Sequence, residues 1–136
     1  MERRNIQFSP PDISEVEINE VCEALRSGWI TTGPRTKELE RRLAEYCHTN
    51  KFVCLNSATA AEELNLRVLG IGEGDEVIVP AYTYTATASA AIHCGAKVIF
   101  VDSQKDSTEM DYDKVAGAIT EKTKAVVAVD LGGIIC

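Results

Sequence analysis

No run of this chain is apolar for the roughly 20 residues that a bilayer-spanning helix needs. Positive charge is scarce as well. Fourteen Lys and Arg stand against 21 Asp and Glu, a net charge of −7, which argues against nucleic acid or an anionic membrane as partner. Histidine occurs only twice, as His48 and His93, each beside a cysteine. Adjacent side chains on a helix diverge, and no second pair stands at zinc-ligand spacing, so no metal site is expected. The five cysteines (Cys22, Cys47, Cys54, Cys94, Cys136) are an odd number without a close-set pattern. They fit buried free thiols in a reducing cytoplasm better than a disulfide framework. The opening MERRNIQFSP has basic residues but no apolar stretch after them, so no secretory signal is expected. Internal repeats and low-complexity tracts are missing too. The 136 residues suffice for one modest domain with a real core.

What is present centres on Val53 to Thr87. Val53-Cys54-Leu55 is a short apolar run of the kind a buried strand shows. Asn56-Ser57 ends it with two good N-cap types, and Ala58 to Leu69 is rich in Ala, Glu and Leu, which favour helix. A helix is thus expected to open at the carboxyl end of a strand. Backbone N–H groups there lack helical partners and the macrodipole is positive, a combination suited to a phosphate. The hydroxyls of Ser57 and Thr59 add donors, and the small Ala58 and Ala60 allow close approach. The same residues also suit an ordinary turn with Ser57 as a plain cap. Gly70, Gly72 and Gly74 then turn the chain into a second strand, Glu76 to Val79, closed by Pro80. Ala81 to Thr87 follows at the carboxyl end of that strand, where open α/β sheets place ligands. A tyrosine presented there can stack on a flat heterocycle or simply pack.

Elsewhere the pattern alternates. Met1 to Ile13 reads as an extended arm, with Pro10-Pro11 blocking helix. Ser14-Glu15-Val16-Glu17 is a capping box that opens a helix to about Ser27, which Gly28 ends. Trp29 to Gly33 is a loop. Pro34 starts a second helix, with Leu39, Leu43, Tyr46 and Cys47 as its apolar stripe. Thr87 to His93 reads as a helix of small residues, Lys97 to Val101 as a strand, Asp111 as the cap of a helix through Ile119, and Thr123 to Val129 as a fourth, buried strand. Alternating strands and helices predict an α/β architecture with a mostly parallel sheet. Asp75-Glu76 and Asp111/Asp113 look like carboxylate dyads, but a loop-to-strand junction and a helix cap explain them better. The chain stops on apolar residues with no covering helix after its last strand, so it is expected to be the N-terminal portion of a longer protein.

Several blocks resemble the DegT/StrS-type sugar nucleotide aminotransferases, pyridoxal-phosphate enzymes of fold-type I. They are NSATAA at 56–61, GIGEGDEVIVP at 70–80, PAYTYTATA at 80–88, GWITTGP at 28–34, GAKVIFVD at 95–102 and KTKAVV at 122–127. In order and spacing they cover nearly the whole chain. The resemblance implies part of a three-layer α/β sandwich, the large domain of that fold. Residues 1–33 would be an N-terminal arm, helix and active-site loop, and 34–136 the first part of the cofactor-binding domain. It implies transamination of a nucleotide-linked ketosugar by an amino donor such as glutamate, in a homodimer. A sugar dehydratase of the same family, in which histidine replaces the lysine, and a non-catalytic fragment or interaction module remain alternatives.

Residue by residue, Ser57, Ala58 and Thr59 match the turn that cradles the phosphate. Tyr84 matches the aromatic stacked on the pyridine ring, and Trp29, Thr31 and Thr32 match a loop lining the substrate entrance. The cofactor-linking lysine is expected downstream. None of Lys37, Lys51, Lys97, Lys105, Lys114, Lys122 or Lys124 occupies its place, so no catalytic residue is assigned. Glu62-Glu63 stands where relatives tend to carry an apolar pair, which suggests a more exposed helix face or an altered contact.

Overall fold

The computed structural model describes residue 5 and residues 9–136, so most of the expected N-terminal arm lies outside the described residues. The chain divides into two compact units, the second beginning at Leu55.

The first unit is a pair of helices, α1 (Glu15–Arg26) and α2 (Pro34–Tyr46). The capping box forms as expected: Val16 N donates to Ser14 Oγ, and Ser14 N donates to Glu17 Oε2 at 2.7 Å. Gly28 leaves α1 at φ 72°, a conformation that costs glycine least. Pro34 occupies the first turn of α2, where its missing N–H breaks no helical bond. Neither helix has a buried residue. Arg35 ties them together, reaching Glu20 and Glu23 of α1 at 3.2 Å each.

The second unit holds α3 (Ala58–Val68), β1 (Glu76–Pro80), α4 (Ala86–His93), β2 (Lys97–Val101), α5 (Tyr112–Ala118) and β3 (Thr123–Val126), then a single 3₁₀ turn at Leu131–Gly133. The sheet is wholly parallel in the order β2-β1-β3. β1 lies in the middle, every residue of it buried, with Ile78 facing Ile99 on one side and Val126 on the other. Side chains alternate across the sheet. Val77 and Val79 pack with Leu66, Ile71, Ala90 and Ala91 on the face covered by α3 and α4. Ile78 packs with Val101 and Met110 on the face covered by α5. This is the expected three-layer α/β arrangement with a parallel sheet.

The strand expected at Val53 to Leu55 is not one. The segment is extended but joins no ladder. Strand character depends on a neighbouring strand, and the Cys54 N–H instead donates to the Glu40 carboxylate at 2.9 Å. The last strand is also shorter than expected, ending at Val126 rather than Val129, and none of its residues is buried, since it lies at the edge of the sheet among the described residues.

Candidate functional site

Two helices begin at the same edge of the sheet. In the unit β1-α4-β2 the strands are parallel, so α4 runs back against them and starts at their carboxyl ends. α3 lies alongside α4 in the same sense, because the carboxyl half of α3 is joined to the last turn of α4. Arg67 Nη2 donates to the His93 carbonyl at 2.9 Å, and Cys94 Sγ donates to the Glu63 carbonyl at 3.6 Å. Their amino ends therefore share the carboxyl edge of the sheet.

At α3, Ser57 is the N-cap, and its Oγ accepts from Ala60 N at 3.1 Å. Ala61 N donates to the Ser57 carbonyl at 3.2 Å. The N–H groups of Ala58 and Thr59 have no acceptor among the described residues. The first turn of α3 carries no acidic residue. α1 makes the contrast, since Glu17 supplies its own carboxylate at the equivalent turn and Ser14 holds its pKa below the usual carboxylate range. Where α1 has Glu17, α3 has Ala60, and the positive end of the helix stays open to an external anion.

Tyr84 stands two residues before α4. It is 78% exposed, so its ring has an open face. Its carbonyl accepts from Thr87 N at 3.2 Å. Thr87 is buried, and its hydroxyl lies 3.2 Å from that of Thr83. This pair braces the turn that carries Tyr84. Two threonines four residues apart across a helix start are its signal in the sequence. No hydrogen bond joins Tyr84 to Ser57 or Thr59 among the described residues.

Trp29, Thr31 and Thr32 lie together in the first unit, in the loop between α1 and α2, and all are exposed. The indole Nε1 donates to the Thr32 carbonyl at 3.0 Å. Glu62 and Glu63 behave differently from each other. Glu63 bonds Arg67 and His93 at the surface. Glu62 Oε2 is buried without a partner among the described residues, beside a cavity of about 290 Å³ lined by Leu66, Leu69, Thr87 and Ala125. The suspected dyads are structural. Asp75 accepts from Gly72 N, and Asp111 caps α5.

Residues 11–136 match the model of the DegT/DnrJ/EryC1/StrS aminotransferase family. The chain belongs to that family. It is 41% identical over 138 residues to the spore coat polysaccharide biosynthesis protein SpsC of Bacillus subtilis, covering all of this chain and 36% of that protein. It is 44% identical over 123 residues to the UDP-4-amino-4-deoxy-L-arabinose–oxoglutarate aminotransferase of Shewanella sediminis, covering 90% of this chain and 32% of that one. Among solved structures it resembles Spr1654 of Streptococcus pneumoniae, named as a sugar aminotransferase. The identity is 65% and the TM-score 0.91, over 98% of this chain and 34% of that one. Spr1654 has been solved with PLP and with PMP. This DegT-family chain spans about a third of the length of these relatives.

Proposed function

We propose that this chain supplies the phosphate pocket and one wall of the ring site in a pyridoxal-phosphate-dependent enzyme. That enzyme transfers an amino group from a donor such as glutamate to a keto group on a nucleotide-linked sugar. The observation that carries the reading is the amino end of α3, with two uncommitted amides and no carboxylate, in a chain of an aminotransferase family. The PLP and PMP forms of Spr1654 support the cofactor, and the names of the relatives support a sugar substrate. All five cysteines are free, but none is buried as expected: Cys47 and Cys136 are exposed and the other three half-buried. Free thiols fit a cytoplasmic setting. A homodimer follows from the family resemblance.

When bound, the cofactor acts as an electron sink for moving an amine between carbon skeletons. The chain's own residues bind and orient. The Ala58 and Thr59 amides donate to the phosphate, and Ser57 keeps Ala60 occupied so that those two remain free. Tyr84 offers a flat face to the ring. Trp29, Thr31 and Thr32 line the substrate entrance, and residues 34–136 form the first part of the cofactor-binding domain. The linking lysine comes from outside residues 1–136. Lys97, Lys122 and Lys124 lie at or before the amino ends of their strands, and Lys114 faces Asp111 at 3.4 Å.

Two assays test this. A protein extended to the length of its relatives should convert glutamate to 2-oxoglutarate only when a nucleotide-linked ketosugar is present. The 136-residue chain mixed with pyridoxal phosphate should show no absorbance band that borohydride fixes to lysine. A stoichiometric fixed label on this chain would overturn the lysine assignment.

A further inference from the structure

The loop between α1 and α2 contains an arrangement that neither its composition nor the family match accounts for. Gly33 is buried although its neighbours on both sides are exposed. What covers it is Trp29. A Cβ added to Gly33 would fall inside the indole, overlapping Nε1, Cδ1 and Cε2. The backbone itself does not demand glycine here, since Gly33 is extended at φ −157° and ψ −155°. The side-chain-free surface is therefore what the ring requires. The indole N–H is spent on the Thr32 carbonyl at 3.0 Å, and the Trp29 backbone N–H is held by Ser27 Oγ at 3.2 Å. One residue thus grips the loop at both ends.

We propose that Trp29 is a positioning residue: its indole, folded over Gly33 and bonded to the Thr32 carbonyl, holds the segment from Ile30 to Thr32 in one conformation. The helices on either side bury no residue, so no core does this instead. With its polar atom and one face engaged, Trp29 shapes the entrance while Thr31 and Thr32 keep their hydroxyls for a ligand. That last role rests on the entrance assignment made under the proposed function. The clasp itself does not.

Trp29 is the only tryptophan in the chain, so its spectra report the clasp directly. In Gly33→Ala the ring must leave. The near-UV circular dichroism of the indole should be lost, emission should shift to the red, and acrylamide quenching should rise, with far-UV dichroism retained. Backbone 15N order parameters at Ile30 to Thr32 should fall in Gly33→Ala and equally in Trp29→Leu. The double variant should fall no lower than either single one, because both remove the same contact. Trp29→Phe, which keeps a ring over Gly33 but lacks the N–H, should restore part of the order. Unchanged indole spectra in Gly33→Ala would overturn the clasp. Unchanged order parameters at Ile30 to Thr32 in Trp29→Leu, whose backbone is untouched, would overturn the positioning role. Neither readout involves substrate, so failure of the entrance assignment leaves both intact.

Discussion

Ser57 has two consequences that separate on substitution. Its hydroxyl caps α3 through Ala60 N, and a lost cap of this type costs about 1 kcal/mol. Ser57→Ala should therefore lower the urea midpoint by a corresponding amount. Its effect on phosphate binding should be smaller than that of Thr59→Glu, which would set a carboxylate where the anion goes. Glu76 acts at the opposite edge of the sheet. Buried at the start of β1, its carboxylate is bonded to Lys97 Nζ at 2.9 Å and to Thr120 Oγ1 at 2.8 Å. Those two bonds hold its pKa below the usual range. Folding thus favours the charged form. The contribution is complete above the unfolded value of roughly 4.3 and disappears as pH falls through the lower folded value. Glu76→Gln should lower the urea midpoint at neutral pH and leave a shallower decline on acidification. An equal midpoint at neutral pH would contradict this.

Among the elements, β1 carries the second unit. Ile78 is fully buried and meets both neighbouring strands and α5. Ile78→Ala should cost about 2–5 kcal/mol, measured by chemical unfolding. Val126→Ala on β3, at a side chain left 44% exposed, should cost clearly less. The same contrast marks how far the sequence could be read. The caps at Ser14, Ser57 and Asp111 and the start of α2 at Pro34 were legible because each is decided by residues within four positions. Val53 to Leu55 was not, because an apolar run is a strand only beside another strand, and its composition says nothing of where that neighbour is. The placement of Ser57, Ala58 and Thr59 at a helix start was readable from local pattern, which left a phosphate cradle and a plain cap both open; only the resemblance favoured the first. The clasp of Trp29 over Gly33 left no trace in composition or period, since it depends on how a loop folds back on itself.

At the scale of the whole molecule, each unit leaves large apolar side chains uncovered. In the first unit, Val16, Val21 and Leu25 of α1 are each 60% exposed or more. In the second, Val68, Leu69, Phe100 and Ile135 are as exposed. Apolar surface of this kind marks an interface or a liability. The 136-residue chain should bind a hydrophobic dye and sediment as concentration-dependent oligomers. A strictly monomeric, dye-silent chain at high concentration would contradict that expectation. An acidic surface with net charge −7 opposes such association at low salt, so added salt should promote it.

The central claim, that the amides of Ala58 and Thr59 receive a phosphate, is best tested by following backbone amide resonances of the chain during titration with pyridoxamine phosphate and, separately, with pyridoxamine. The phosphorylated compound should move the Ala58 and Thr59 signals in a saturable way, while the compound without phosphate leaves them in place. Identical responses to the two, or no movement at either residue, would contradict it.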